Sequence, residues 1–206
     1  MRADAASLVY DHAMTAPRIV LFTRYPHAGR AKTRLIPALG PERAAGLHRR
    51  LTERTLAAVR AAGLPFELRV TGAPVAAFRD WLGDVGVVAQ GEGGLGERLD
   101  RAGPPYPTLF IGADAPDLTS ALLREAADAL GDRRAVIGPA EDGGYWLLGL
   151  AEPVAGVFAD VAWGTDRVFA QTLKRLSVAG VEPALLPMLA DCDRPEDLAR
   201  WPGLIR

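Results

Sequence analysis

The sequence predicts one α/β domain, built on a mostly parallel mixed sheet with helices on both faces. Short apolar runs recur along the chain, and segments with apolar residues at helical spacing stand between them. This βαβαβ alternation predicts right-handed crossovers, which place successive helices on the faces of the sheet. The chain has 206 residues, of which 49% are apolar. It can therefore bury a sizeable core, and two domains would be cramped.

The individual elements follow from local signals. A first strand is predicted at 18–23, where β-branched and apolar residues follow one another, and a long helix is predicted from Pro41 to Gly63. A smaller antiparallel element is expected at 145–150, and Thr165 is a plausible N-cap of a further helix. The other predicted elements are strands at 66–71, 85–90, 109–111, 135–140 and 184–189, and helices at 74–82, 120–130 and after 193.

Composition and charge exclude several classes of function. The formal charge is −1 and the pI about 6.3, so no global basic field suggests a nucleic acid or an anionic membrane as partner. Cys192 stands alone, which excludes an internal disulfide and fits a reducing cytoplasm. No apolar run reaches the roughly 18 residues that a membrane span requires. We therefore expect a cytoplasmic protein, with residues 1–16 as a disordered extension and residues 17–206 as the domain.

A cationic loop follows the first predicted strand. The segment 24–35, RYPHAGRAKTRL, groups Arg24, Arg30, Lys32 and Arg34 around the flexible Gly29. Such a loop can wrap a polyphosphate, because glycine permits close backbone approach and the cations neutralise the oxygens. It matches neither the Walker A loop nor the dinucleotide fingerprint. A solvated basic loop is the alternative.

Acidic residues follow two other predicted strands. Asp114 lies just past the strand at 109–111, at the edge where open α/β sheets bind ligands. Asp191 and Asp193 follow the strand at 184–189, and one or both could join Asp114 in binding Mg²⁺ or Mn²⁺ with phosphate oxygens. The simpler alternatives are a turn cap for Asp114 and a helix cap for Asp193.

Two glycine-rich stretches are candidates for substrate contact. The first, 90–98, places Gln90 before four glycines that include Gly94 and Gly96, and this combination of amide and bare backbone could read a nucleobase edge. A merely flexible loop is the alternative. The second begins at Asp142 and is followed by an aromatic pair and by the WGTD segment at 163–166. Its candidate acceptor-binding residues are Asp142, Gly143, Gly144, Tyr145, Trp163 and Thr165. A hairpin corner, helix initiation and core packing of the aromatic rings are the alternatives.

Taken together, these motifs resemble a bacterial family of the GT-A, or nucleotide-diphospho-sugar transferase, superfamily. The resemblance covers nearly all of 17–200 and rests on RYPHAGRAKTRL, QGEGGLGERL, IGADAPDL, GPAEDGGYWLLGL, WGTDRV and DCDRPEDL. The same pieces are similar to 2-phospholactate guanylyltransferase and molybdenum-cofactor guanylyltransferase. The resemblance implies a Rossmann-like GT-A fold. It also implies that Lys32 and Arg34 meet the triphosphate, that Gln90 and Gly94 meet the base, and that Asp114 and Asp193 bind the metal. GPAEDGGYW departs from the Asp-Gly-Gly-Thr-Asn acceptor loop of the phospholactate enzyme.

The expected function is a metal-dependent transfer from a nucleotide to a small-molecule acceptor. Nucleotidyl transfer, in which a phosphorylated acceptor attacks an NTP and pyrophosphate leaves, is favoured because Arg24, Lys32 and Arg34 are grouped to stabilise the leaving charge. A glycosyltransferase that uses an NDP-sugar is the alternative, since Trp146 and its aromatic neighbours would suit a sugar ring. A module that senses nucleotide without catalysis is a further alternative. His12, His27 and His48 lack metal-ligand spacing, so a zinc site has little support.

Overall fold

The structure is a computed structural model that describes residues 16–205. Apart from Ala16, the predicted N-terminal extension lies outside the described residues. The described elements are β1 (Arg18–Arg24), α1 (Ile36–Leu39), α2 (Pro41–Ala62), β2 (Phe66–Thr71), α3 (Val75–Leu82), β3 (Val87–Ala89), α4 (Leu95–Ala102), β4 (Thr108–Ile111), α5 (Ser120–Asp132), β5 (Ala135–Pro139), β6 (Tyr145–Leu150), α6 (Val168–Val178) and β7 (Ala184–Leu185), with short 3-10 helices at Thr33–Leu35, Pro195–Arg200 and Pro202–Leu204.

The strands form one seven-stranded sheet in the order β3-β2-β1-β4-β6-β5-β7. β1 pairs in parallel with β2 and β4, as do β2 with β3 and β5 with β7, whereas β6 runs antiparallel to both of its neighbours. The predicted α/β fold with a mostly parallel mixed sheet is therefore confirmed. The parallel run β3-β2-β1-β4 brings four strand ends to one edge, where ligands bind in such sheets.

β6 runs antiparallel, as the sequence predicted, but it is a central strand of the main sheet rather than a smaller element. It lies between β4 and β5, with Phe110 opposite Leu148 on one side and Ile137 opposite Leu148 on the other. All its residues after Tyr145 are buried. The physical reason is the apolar run itself, because a strand that is apolar on both faces is stable only inside the sheet.

Helices cover both faces of the sheet. α2, α3 and α5 pack on one face with Ile19 and Leu109, whereas α4 and α6 pack on the other with Val20 and Phe110. This division follows from the alternation of side chains along each strand. A smaller cluster joins Leu35 and α2 to Cys192, which is buried and serves as packing material. None of the helices that the structure describes has the length and apolar character needed to span a bilayer.

Several predicted boundaries are wrong near the C-terminus. The strand expected at 184–189 is reduced to Ala184–Leu185, and the expected terminal helix is the 3-10 helix Pro195–Arg200. Asp193 does not cap that helix. Instead, the Asp197 carboxylate accepts the backbone N–H groups of Asp193 (3.0 Å) and Arg194 (2.7 Å). Asp193 is unavailable because its carboxylate pairs with side chains of the loop after β1.

Candidate active site

A cleft of about 560 Å³ opens at the carboxyl ends of β1 to β4. Most of its charged wall is basic, with two carboxylates at one end. Its lining comprises the cations Arg24, Arg30, Lys32, Arg34 and Arg98, the carboxylates Asp114 and Asp193, and Phe22, Thr23, Thr33, His48, Thr71, Gln90, Leu95, Gly112 and Ala113. We call this the cationic cleft. It brings together six of the predicted site residues from four separate segments of the chain.

The loop after β1 is folded tightly against the sheet. Arg24 donates from Nη1 to the carbonyl of Arg30 (2.9 Å), and Gly29 adopts φ +78°, which permits the turn between them. Lys32 follows in the left-handed region (φ 48°, ψ 48°), an unusual conformation for a residue with a side chain. This conformation turns the lysine inward. Gly29 does not line the cationic cleft, so its part is to shape the loop.

Lys32 joins three segments at the floor of the cleft. Its Nζ lies 2.7 Å from Asp114 Oδ1 and 3.6 Å from Asp193 Oδ1, and it donates to the carbonyl of Cys192 at 2.7 Å. The side chain is only 3% exposed. Within the protein, the partners of Lys32 are two carboxylates and a carbonyl, and its predicted contact with phosphate oxygens stays a prediction.

The charges of this cluster support one another. Desolvation alone would lower the pKa of Lys32, but the charge and hydrogen bond of Asp114, with help from Asp193, outweigh it and raise that pKa. Desolvation likewise opposes ionisation of Asp114, yet the charge and hydrogen bond of Lys32 hold the pKa of that carboxyl below its usual value. Both groups are therefore charged at neutral pH.

The two candidate metal ligands from the C-terminal loop lie in different surroundings. Asp193 pairs with Arg34 at 2.7 Å and faces Asp114 across Lys32. Asp191 lines a neighbouring cavity, where desolvation and the nearby Asp142 carboxylate raise its pKa to about 6. Among residues 16–205, no three His, Cys, Asp or Glu side chains are grouped to hold a metal by themselves. Two carboxylates completed by substrate phosphates are nevertheless a usual site for Mg²⁺.

Gln90 is fixed by the backbone of neighbouring strands. Its side-chain Nε2 donates to the carbonyls of Thr23 (3.1 Å) and Arg69 (2.9 Å), and its Oε1 accepts from Arg98 Nη1 at 3.3 Å. Both amide hydrogens are thus used within the protein. In this arrangement, the Gln90 amide has no free N–H to donate to a nucleobase, which was its predicted ligand.

Gly94 and Gly96 lie outside the cationic cleft and line an adjacent depression. Gly94 stands before the first residue of α4, where its N–H donates to Glu97 (2.7 Å). A Cβ at Gly96 would clash with the carbonyl of Phe158, so this glycine allows α4 to pack against the segment before α6. Packing, rather than approach of a ligand, accounts for Gly96.

His48 and Arg98 also line the cationic cleft, although no sequence motif indicated a role for either residue there. His48 Nε2 lies 3.1 Å from the carbonyl of Arg24, and burial lowers the pKa of the ring. The sequence signal that could have indicated His48 is that a polar residue stands on the apolar face of α2, near Leu47 and Leu51. For Arg98, the signal was an arginine in the first turn after the glycine-rich stretch.

A second opening adjoins the cationic cleft through Gly112 and Asp114. It consists of two cavities of about 260 and 300 Å³, and both are lined by Asp142, Gly144, Tyr145 and Trp146. Trp163, Gly164 and Thr165 complete one wall. Trp163 meets Tyr145 edge to face, with ring centroids 6.4 Å apart. We call this the aromatic cleft. It contains every predicted acceptor residue except Gly143.

Gly143 and Thr165 have structural roles that the sequence did not predict. The carbonyl of Gly143 accepts the N–H of Phe169 (2.9 Å), and a Cβ at this position (φ +85°) would clash with Asp166. Thr165 is not the N-cap of α6, which begins at Val168. Its hydroxyl donates to the carbonyl of Ala162 (2.7 Å) and accepts from Arg167 N (3.3 Å), which shapes the preceding turn.

Comparison with known proteins identifies the architecture. A family model described as "Uncharacterized protein conserved in bacteria (DUF2064)" matches residues 55–165. None of the curated proteins matches the chain. A structure from Desulfovibrio desulfuricans G20, provisionally described as a nucleotide-diphospho-sugar transferase, has 27% identity and a TM-score of 0.83, and the match covers 94% of this chain and 98% of that one.

Two more distant structures share the fold. The 4-diphosphocytidyl-2C-methyl-D-erythritol synthase of Anaerococcus prevotii DSM 20548 is 12% identical, with a TM-score of 0.60 over 90% of this chain and 94% of that one. Rv0371c of Mycobacterium tuberculosis H37Rv, solved with manganese, is 22% identical, with a TM-score of 0.54 over 89% and 96%. The resemblance to the GT-A superfamily that the motifs indicated is confirmed.

Proposed function

The chain belongs to the bacterial family DUF2064, and from this premise we propose that it is a metal-dependent transferase acting on a nucleotide-activated substrate. One observation carries the proposal. Gly112 and Asp114, which directly follow β4, line both the cationic cleft and the aromatic cleft. A nucleotide in the first cleft and an acceptor in the second would therefore meet at the same carboxylate. The Desulfovibrio desulfuricans structure, provisionally described as a nucleotide-diphospho-sugar transferase, supports a nucleotide substrate.

The favoured reaction is nucleotidyl transfer. A phosphorylated acceptor attacks the α-phosphorus of an NTP, the bond between the α-phosphorus and its bridging oxygen breaks, and pyrophosphate leaves. The cationic cleft supports this reaction, since five cationic side chains line it against two carboxylates. Arg24 and Arg34 would neutralise charge on the leaving pyrophosphate. Lys32 would contribute to the same field while it holds Asp114 and Asp193 in position.

Asp114 and Asp193 would hold Mg²⁺ or Mn²⁺ together with phosphate oxygens. Both carboxylates face the same cleft, and Asp114, whose side chain is 55% exposed, pairs with Lys32 through Oδ1 and leaves Oδ2 outside that ion pair. When bound, the cation would neutralise phosphate charge and orient the nucleotide. The manganese in the structure of Mycobacterium tuberculosis Rv0371c supports a divalent ion in this fold. Asp191, which neighbours Asp142, would belong to the acceptor side.

Glycosyl transfer from an NDP-sugar is the second candidate, and the aromatic cleft favours it. Tyr145, Trp146 and Trp163 line one cavity there, and aromatic faces suit the apolar face of a sugar ring. In the favoured reaction the same wall would hold the carbon skeleton of the acceptor. Asp142, Gly144 and Thr165 would supply its polar contacts.

Parallel assays separate the two reactions. Pyrophosphate release is measured with each of the four NTPs and a library of phosphorylated acceptors, and nucleoside diphosphate release is measured with nucleotide sugars. We expect pyrophosphate from one NTP, and a loss of about 100-fold or more in Asp114→Asn and Lys32→Ala. Asp128→Asn, on the exposed side of α5, is the matched control.

Two outcomes would contradict nucleotidyl transfer, and a third would contradict only its dependence on a metal. Turnover of a nucleotide sugar without pyrophosphate release, undiminished by Lys32→Ala, would establish the glycosyltransferase instead. Nucleotide binding without turnover in either assay would support a sensing module. Equal nucleotide affinity with and without Mg²⁺ or Mn²⁺, unchanged in Asp114→Ala, would remove the metal from the proposal.

A further inference from the structure

The Lys32 ammonium is enclosed by acceptor groups of the protein. An ammonium has three N–H donors, and three acceptors surround Nζ: Asp114 Oδ1 at 2.7 Å, the Cys192 carbonyl at 2.7 Å and Asp193 Oδ1 at 3.6 Å. The side chain is only 3% exposed, so water contributes little to its solvation. Lys32 is therefore fixed against the same two carboxylates that would bind the metal of the proposed function.

Most of the oxygens of these two carboxylates already face a cation. Lys32 lies beside Oδ1 of Asp114 and Oδ1 of Asp193, and Arg34 lies 2.7 Å from Oδ2 of Asp193. In the described part of the chain, Oδ2 of Asp114 is the remaining oxygen outside these ion pairs. Two positive side chains thus balance two negative ones, and a divalent ion that arrives alone meets a cluster without net negative charge.

The two cations differ in how easily they can leave the carboxylates. The Arg34 side chain is 53% exposed, so it can turn into water, where its charge is screened. Lys32 is buried, and a move away from its acceptors would leave a buried ammonium without partners. Repulsion between this ammonium and a divalent ion is strong over such short distances in a poorly solvated site. Lys32 is therefore the main obstacle to a metal ion that arrives alone.

A polyphosphate would change this balance of charge. Arg24, Arg30 and Arg98 line the same cleft, and none of them pairs with a carboxylate in the described part of the chain. Phosphates attracted by these arginines add negative charge beside Lys32, and their oxygens are further ligands for a divalent ion. The ion and the polyphosphate should each raise the affinity for the other, because a coupling free energy between two ligands is reciprocal.

We propose that Lys32 excludes the metal from this site as long as no polyphosphate is bound. The ammonium then competes with a divalent ion for Asp114 and Asp193, and the ion binds these carboxylates only together with the phosphates. The contact between Lys32 and Asp114 is thus an inhibitory one, which the substrate relieves. This inference rests on the proposed function, because it requires a metal at the two carboxylates.

Titrations of the full chain with Mn²⁺ alone test the inference, and calorimetry and the paramagnetic resonance signal of free Mn²⁺ both measure the affinity. The proteins are wild type, Lys32→Met, Lys32→Gln and the control Arg54→Gln, which removes one positive charge on the exposed side of α2. Lys32→Met should bind Mn²⁺ at least about tenfold more tightly than wild type, because the charge of the carboxylates is left for the ion. The control should match wild type.

A second titration uses a complex of Mn²⁺ and inorganic pyrophosphate that is formed before mixing. Wild type should bind this complex at least about tenfold more tightly than Mn²⁺ alone, and the ratio should be smaller in Lys32→Met. Lys32→Gln covers the possibility that the methionine variant fails to fold, since glutamine keeps N–H donors but no charge. Addition of Asp114→Asn to Lys32→Met should abolish the gain in Mn²⁺ affinity, which would place the ion at this site.

The results that would overturn the inference are distinct from those that would overturn the proposed function. If wild type binds the complex but neither Lys32 variant gains affinity for Mn²⁺ alone, Lys32 only arranges the carboxylates, and the proposed function stands without the inference. A gain that persists after Asp114→Asn, or an equal ratio in wild type and Lys32→Met, would also overturn the inference. If no protein binds Mn²⁺ in either titration, the metal of the proposed function is refuted as well.

Discussion

At the scale of single residues, the Lys32 ammonium determines how the site is assembled. It is buried, whereas the side chain of its partner Asp114 is 55% exposed. Because of this difference in exposure, loss of the partner has different consequences for the two charged groups. An unpaired lysine would remain buried, but an unpaired Asp114 could be solvated by water.

The first prediction compares the two members of the pair. In EDTA at pH 7, Asp114→Ala should lower the free energy of unfolding by about 2 kcal/mol, because it leaves a buried ammonium without its main partner. Lys32→Met should lower the free energy of unfolding less, by about 1 kcal/mol, because it removes the buried charge.

The same pair makes the effect of Asp114→Ala depend on pH. Since the pair lowers the pKa of Asp114 and raises that of Lys32, the loss of stability in Asp114→Ala should become smaller as the pH falls through the lowered pKa of Asp114. Urea denaturation measures both values. A larger cost for Lys32→Met would contradict this account.

The second prediction concerns His48 and acid. Burial lowers the pKa of its ring, and the charges of Lys32 and Arg24 add to this, against the opposing effect of Asp114. As the pH falls, the histidine of the unfolded chain is therefore protonated at a higher pH than that of the folded chain. Folding stability is lost as the pH falls below the ordinary histidine pKa of about 6.5. His48→Gln keeps a donor for the carbonyl of Arg24 and removes the titration. The stability of this variant relative to wild type should rise as the pH is lowered from 8 to 5, which urea denaturation at each pH measures. Parallel profiles for wild type and His48→Gln would count against burial of a neutral ring.

At the scale of elements, the β5–β6 hairpin connects the aromatic cleft to α6. Asp142 accepts the N–H of Gly144 through Oδ1 (2.8 Å), and the carbonyl of Gly143 accepts the N–H of Phe169 in α6. The turn that presents the acceptor-side residues is therefore anchored on the helix behind it.

The third prediction tests this anchor. Gly143→Ala should lower stability by about 3 kcal/mol, because the new methyl group meets the backbone of Asp166 and the residue has a positive φ. Gly144→Ala is the matched control, since its Cβ would meet only the end of the Asp142 side chain and no backbone, and we expect a loss below about 1 kcal/mol. Thermal unfolding of both variants provides the comparison. Equal losses would show that the contact with Asp166 does not fix the turn.

At the scale of the whole molecule, the two apolar clusters share their strands. Residues of β1 and β4 alternate between the clusters on opposite faces of the sheet, so neither cluster can lose its strands without disturbing the other. Such a core should unfold as one cooperative unit.

The fourth prediction follows from this shared sheet. Leu123→Ala in α5 and Leu176→Ala in α6 lie on opposite faces, and both leucines are fully buried. Each change should cost about 2–5 kcal/mol and shift a single transition. Circular dichroism and tryptophan fluorescence should report the same midpoint in urea. Separate midpoints, or a variant that alters only one probe, would show that the two faces unfold independently.

The sequence by itself determined most of the elements and the edge of the sheet at which the candidate site lies. β2 was predicted with its full bounds, and the helix from Pro41 was predicted to end at Gly63, where the structure ends α2. These signals are local, because apolar periodicity and turn residues act within a few positions of the chain. For the same reason, Asp114 could be placed after a buried strand, and the cationic loop after β1.

Only the tertiary structure decided which groups these side chains meet. Lys32 bonds to the carbonyl of Cys192, 160 positions away, and the Gln90 amide is taken up by two neighbouring strands. β6 enters between β4 and β5 through pairings that no local pattern specifies. The physical reason is that periodicity records whether a residue is buried, whereas a polar group's partners depend on segments brought together by packing of the whole sheet.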